Sequence, residues 1–105
     1  MIAEYAARGY LMDPHTATCL KAYRTLREEP LPTLMCSTAE WTKFSPTVAR
    51  AIGLDAQGDA EALIAVSQTL NVPIPRQIQA LFEKEITHNI VVEKAQIKQE
   101  MLAFL

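Results

Sequence analysis

Two short stretches hold most of the side chains in this sequence that could do chemistry. Asp13-Pro14-His15-Thr16 places a carboxylate, an imidazole and a hydroxyl within four positions, and Cys36-Ser37-Thr38 places a thiol and two hydroxyls within three. Groups of these kinds accept, donate and hold protons, and histidine does so near neutral pH because its ordinary pKa is about 6.5. Metal binding is a poor fit, since two Cys and two His at wide spacing do not make a zinc cluster. A thiol enzyme is a poor fit too. Cys19 and Cys36 stand among apolar neighbours and no CxxC is present. A disulfide between them is one arrangement that the count permits, but the N-terminus has no secretory signal, so two reduced thiols are expected.

The surrounding pattern says what must position these groups. Ile2 to Tyr10 is loosely helical and broken by Gly9, and Tyr10-Leu11-Met12 then reads as a short buried strand. Asp13-Pro14 is an N-cap followed by proline at the first helical position, where its missing N–H costs nothing. Ala17, Leu20, Tyr23 or Arg24, and Leu26 or Arg27 continue that helix to a stop at Glu29-Pro30. Thr33 to Thr38, uncharged and mostly apolar, reads as a second, interior strand. Together these predict one βαβ unit. Ser45-Pro46 repeats the cap-then-proline signature for a short helix that Gly53 stops as its C′ residue. Asp59 is expected to cap a helix with Ala60, Leu63, Ile64, Ser67 and Leu70 on one face, and Pro75 to open another with Ile78, Leu81 and Phe82 inward. A last helix carries Ile97, Met101, Phe104 and Leu105 on one stripe. The predicted fold class is α/β, one short βαβ unit over residues 1–53 followed by a mainly helical segment over 54–105.

Bulk properties exclude several classes. Half of the 105 residues are hydrophobic and about a fifth charged, a composition of folded rather than disordered chains. At this size a folded domain buries roughly two thirds of the surface its unfolded chain exposes. Ten Lys plus Arg against twelve Asp plus Glu give a net charge of −2 with no basic concentration, so nucleic acid is not an expected partner. Apolar stretches such as Met101 to Leu105 are far shorter than the roughly 20 residues that span a bilayer. No membrane association is expected, and a cytoplasmic location is the default.

"GYLMDPHTA" (Gly9 to Ala17) and "CSTAEWTKF" (Cys36 to Phe44) resemble the two C-terminal signature segments of threonine synthase, a pyridoxal-phosphate enzyme. "VPIPRQIQALFEKE" and "VVEKAQIKQEMLAFL" are similar to its closing helices. The resemblance implies the C-terminal fragment of a fold-type II pyridoxal-phosphate enzyme that converts O-phospho-L-homoserine and water to L-threonine and phosphate. In open α/β sheets ligands sit beyond the carboxyl ends of strands, which is where His15 and Thr16 would follow the first strand and Thr38 would end the second. By resemblance Thr38 hydrogen-bonds the pyridine nitrogen of the cofactor. His15 is either a first-turn residue bonded to backbone and solvent or one that lines the substrate side, and Thr16 belongs equally to the cap or to the site. Asp13 is more simply a cap. Many relatives carry His at the position of Glu40 and Pro at that of Trp41, and an ionised carboxylate only accepts, so a donor role does not carry over to Glu40. Lys43 reads either as a contact for the substrate phosphate or as a solvated lysine.

The chemistry also needs a lysine bonded to the cofactor and a cup of backbone N–H groups for its phosphate. Lys21, Lys43, Lys84, Lys94 and Lys98 mostly sit on predicted helix faces in charged surroundings, and the three glycines are isolated. No catalytic residue is therefore assigned within the chain. The remainder of the enzyme, N-terminal to this segment, is the expected partner, and self-association is expected from uncovered strand edges and apolar faces. The competing reading is a stand-alone, non-enzymatic module whose helices from Asp59 onward dock a protein partner.

Overall fold

The computed structural model describes residues 1–104; Leu105, placed by the sequence on the last apolar stripe, lies outside the described residues. The described residues form α1 (Ile2–Ala6), α2 (Pro14–Leu26), α3 (Ser45–Ala51), α4 (Asp59–Leu70), α5 (Arg76–Leu81) and α6 (Ile97–Phe104). Short 3-10 turns, Trp41–Phe44 and Lys94–Gln96, lead into α3 and α6.

This corrects the α/β expectation, because no strand occurs among the described residues. Tyr10 to Met12 and Thr33 to Thr38 are irregular chain, so there is no βαβ unit. The physical reason is that a strand exists only with a ladder partner, and an uncharged apolar run of three to six residues supplies none by itself. Met12 does enter the core, at 2% exposure, but Leu34 is 90% exposed and only Met35 in the second segment is half-buried.

Helix ends follow local chemistry more faithfully. Asp13 adopts extended backbone geometry and caps α2, with Pro14 behind it as the first helical residue. α1 and α3 both end through a glycine at positive φ, +83° at Gly9 and +84° at Gly53. In each, the glycine N–H and the next residue's N–H return to carbonyls of the last turn, Gly9 to Ala6 and Tyr10 to Tyr5, Gly53 to Arg50 and Leu54 to Ala49. Two expected caps are displaced. Ser45 lies inside α3, buried, and its hydroxyl donates to the Asp59 carbonyl at 3.0 Å, tying the start of α4 to α3. Gly58 rather than Asp59 precedes α4, and Glu61 accepts the Gln57 N–H at 3.0 Å.

The core gathers Ile2, Met12, Ala17, Leu20, Trp41, Val48, Ala49, Ala62, Leu63 and Val66. α3 packs on α4, and α1 on α3. Arg24 of α2 holds α1 from outside, with its guanidinium paired to both Glu4 carboxylate oxygens at 2.9 and 3.1 Å and donating to the Tyr5 hydroxyl at 3.1 Å. The inward face of α4 is rotated from the expected one. Ala62, Leu63 and Val66 are buried, whereas Ala60 is exposed and Ile64 is 50% exposed, because α3 covers the Ala62–Val66 side. Leu81 and Phe82, expected inward, are also more than half exposed, and no residue of α5 or α6 is buried.

The outcome is an elongated chain, with extents of 55 × 34 × 23 Å and a radius of gyration of 18.4 Å, against about 13 Å for a compact chain of this length. Its accessible surface is 8589 Å², where a compact protein of this mass exposes about 5,900 Å². Roughly half of the unfolded surface is buried rather than the two thirds expected from size. No helix among the described residues is long and apolar enough to cross a membrane. The packing predicts a sharp contrast in urea denaturation. Leu63→Ala, between α3 and α4, should lower stability by about 2–4 kcal/mol, whereas Phe104→Ala, 81% exposed at the start, should change it by less than about 0.5 kcal/mol.

Candidate functional site

The amino end of α2 is built around the carboxylate of Asp13, whose side chain is fully buried. One oxygen, Oδ1, accepts the backbone N–H of His15 at 2.9 Å and of Thr16 at 3.2 Å. The other, Oδ2, accepts the Thr16 hydroxyl, and the Ser37 hydroxyl lies 3.2 Å from it. Ser37 Oγ is also 2.9 Å from Thr16 Oγ1 and 3.1 Å from the Ala39 carbonyl oxygen. Each hydroxyl has a single hydrogen, so the Asp13, Thr16, Ser37 and Ala39 oxygens share two protons. Burial alone would push the Asp13 carboxyl up. The hydrogen bonds from the Thr16 hydroxyl, the Thr16 and His15 backbone and the Ser37 hydroxyl outweigh that effect and hold it below its ordinary value.

This network joins the two stretches singled out in the sequence, through residues 13 and 16 on one side and 37 on the other. A second contact joins them through rings, since His15 meets Phe44 edge-on with centroids 4.8 Å apart. His15 itself is 70% exposed in its side chain, and its Nδ1 lies 3.5 Å from Asp13 Oδ1, too far for a strong hydrogen bond. Thr16 is committed to the cap network, while its neighbour His15 presents its ring to solvent.

Thr38 has a different setting from Ser37. It is exposed and lines an open cleft of about 710 Å³ with Ala39, Glu40, Lys43, Asp59 and Phe82. His15 and Thr16 are not among the lining residues. Neither hydroxyl of the cap network bonds to Thr38, and Glu40 is occupied in capping the following 3-10 turn, accepting the N–H of Thr42 at 3.4 Å and its hydroxyl. The ammonium of Lys43 lies 5.6 Å from the Phe44 ring, on the rim of the same cleft. The sequence reading missed Ser37 as the residue that ties this loop to α2. The available signal was a buried cap carboxylate with two lone pairs more than the helix end uses.

All five lysines are exposed. Gly9, Gly53 and Gly58 each stand at a helix end with positive φ, and none of them lies beside another to form a cup of N–H groups. Among the described residues no group of three or more His, Cys, Asp or Glu could hold a metal ion. Cys19 and Cys36 are free and exposed.

Known proteins supply the context for this geometry. The chain is 33% identical over 82 residues to threonine synthase-like 1 of Mus musculus, a match that covers 76% of this chain and 11% of that protein. Against threonine synthase-like 1 of Homo sapiens and of Macaca fascicularis it is 33% identical over 48 residues, covering 46% of this chain and 6% of each relative. Over these partial regions the chain is distantly similar to threonine synthase-like proteins. It spans about a tenth or less of the length of these curated relatives. No family model matches it, and no solved structure does.

The Asp13 network generates its own test. Asp13→Ala removes the cap and strands two hydroxyls, and should lower stability by about 1–3 kcal/mol in urea denaturation. The carboxyl is held low in the folded state, so its contribution is whole above the ordinary pKa of about 3.9 and is lost as pH falls through the folded value. Asp13→Asn should therefore be less stable at pH 6 and lose the part of the acid-side decline that this group causes. An unchanged acid limb in Asp13→Asn would remove Asp13 from the explanation.

Proposed function

We propose that this chain is the C-terminal flank of a pyridoxal-phosphate enzyme of the threonine synthase type, which turns O-phospho-L-homoserine and water into L-threonine and phosphate. Thr38 is the residue that would meet the cofactor, through its hydroxyl and the pyridine nitrogen. The observation that carries the reading is the convergence of "GYLMDPHTA" and "CSTAEWTKF" on one hydrogen-bonded junction, with the Thr38 hydroxyl unclaimed by that junction and facing an open cleft. Distant similarity to threonine synthase-like proteins supports the same reading.

The residues present fit one contact of that cofactor and not the others. Pyridoxal phosphate, when bound, supplies the electron sink for removing protons from an amino-acid substrate. A neutral hydroxyl at its ring nitrogen leaves that nitrogen largely unprotonated, whereas a carboxylate would favour the protonated form. Thr38 thus tunes rather than attacks. Lys43, at the rim of the same cleft, is the cation available to a phosphate-bearing substrate, and His15 is the exposed titratable group at the adjoining helix start. The bond-forming lysine and the phosphate cup must come from residues outside this chain. The partners in this proposal are therefore the remainder of the enzyme and its small-molecule substrate.

An uncovered surface supports the same view. The chain exposes about 2,700 Å² more than a compact protein of its mass, comparable to the area lost in a substantial protein interface. Ile90, Ile97, Met101 and Phe104 line an apolar cleft of about 400 Å³ on this surface. A stand-alone docking module would use the same face, which is the specific observation in favour of that second reading.

Three measurements test the proposal, and the second separates it from a docking module. The 105-residue chain alone should release no phosphate from O-phospho-L-homoserine above background with pyridoxal phosphate present; turnover by the chain would sink the division of labour. In a longer protein that contains this segment, Thr38→Ala should lower kcat/KM about tenfold or more and shift the absorbance of the bound cofactor, while Thr38→Ser keeps most of both. Equal effects of Ala and Ser, or none, would remove Thr38 from the cofactor. By sedimentation, the isolated chain should self-associate with rising concentration through the apolar surface, and a chain that stays monomeric throughout the micromolar range would contradict that part.

A further inference from the structure

Cys19 and Cys36 line the same groove. Its walls are α2, with Cys19, Tyr23 and Leu26, and the irregular segment after Pro32, with Thr33, Leu34 and Cys36. The register of these two walls is set next door. Thr16 Oγ1 and Ser37 Oγ are 2.9 Å apart. Cys19 stands three residues beyond Thr16, one turn along the same face of α2, and Cys36 is the chain neighbour of Ser37. The segment therefore runs back from Ser37 along this groove, with Cys36 on one wall and Cys19 on the other. Both thiols are free and exposed, so an oxidant of low molecular weight can reach either one.

We propose that Cys19 and Cys36 are a reversible thiol pair, whose disulfide clasps the segment Thr33 to Cys36 onto α2. The co-reactant is a small disulfide such as oxidised glutathione. One cysteine thiolate attacks it and releases one glutathione thiolate; the second cysteine then attacks the mixed disulfide, forms the Cys19–Cys36 bond and releases the other. The two cysteine sulfurs are oxidised, the two glutathione sulfurs are reduced, and the two thiol protons end on the released glutathiones. The bond closes over the sixteen residues between the two cysteines and fixes the backbone that leads to Ser37 and Thr38. The clasp stands whether or not Thr38 meets a cofactor.

The test is equilibration of the 105-residue chain with reduced and oxidised glutathione, read by intact mass and by peptide mapping under non-reducing conditions. The expected product is monomeric, lighter than the reduced chain by two hydrogen atoms, with a Cys19–Cys36 cross-linked peptide. In urea that unfolds the chain, closure should need about tenfold or more oxidised glutathione, because folding is what brings the pair together. Cys19→Ser and Cys36→Ser should each take up one glutathione instead. Thr16→Ala, which cuts the tie that sets the register, should weaken closure several-fold in the folded chain and leave it unchanged in urea. Mixed disulfides at both cysteines, cross-linked dimers as the main product, or closure as favourable in urea as in buffer would each overturn the proposal.

Discussion

The carboxylate of Asp13 is cut off from water and stays charged because four donors reach it, the N–H groups of His15 and Thr16 and the hydroxyls of Thr16 and Ser37. Burial of an anion is costly unless hydrogen bonds replace its hydration, so this site dictates what can stand around it. One consequence is local, since the cap fixes where α2 begins. Another is long-range, because Ser37 must stay at the helix start to complete the set, and with it come Cys36 on one side and Thr38 on the other. The ring contact of His15 with Phe44 then places the turn that feeds α3. The order of the first half of the chain thus descends from satisfying one charge.

The second half lacks an anchor of that kind. α3 and α4 share an apolar contact through Val48, Ala49, Ala62, Leu63 and Val66, reinforced by the Ser45 hydroxyl on the Asp59 carbonyl. Beyond α4 come α5, α6 and a long irregular stretch between them, with Leu81, Phe82, Ile86, Ile90, Val91, Met101, Leu102 and Phe104 all more than half exposed. An exposed apolar surface of this extent is the feature on which the proposed contact with a partner rests.

Local chemistry was legible in the sequence to the extent that one residue's neighbours decided it. Asp13-Pro14 and the two glycine stops at Gly9 and Gly53 could be read because a cap or an αL residue acts within a turn or two. The strands could not. Tyr10 to Met12 and Thr33 to Thr38 have the composition of interior strands, and whether they become strands depends on a ladder partner that no property of the segment encodes. The inward face of α4 failed for a related reason. Ala60, Leu63, Ile64 and Ala62, Leu63, Val66 are both acceptable apolar stripes, and only the position of α3 selects the second. Ser45 was misread because its hydroxyl can serve a helix end or a neighbouring element equally well. The expectation of self-association rested partly on strand edges; with no strands among the described residues, it rests on the apolar face alone.

Thr16, Ser37 and Thr38 carry the same functional group, the first two in hydrogen-bond contact and the third next to Ser37 in the chain, and hydrogen-bond accounting separates their roles. Thr16 and Ser37 are consumed by an internal acceptor whose charge would otherwise be stranded, so replacing either acts first on stability. Thr38 has no such obligation and points its chemistry toward the cleft that Lys43 and Glu40 rim. A hydroxyl that the fold does not need, held next to two that it does, combines a fixed backbone with a free donor. The network around Asp13 thereby decides where the next residue in the chain can reach, and the proposed contact of Thr38 with a ring nitrogen relies on that constraint, since a donor displaced by an ångström loses most of the bond.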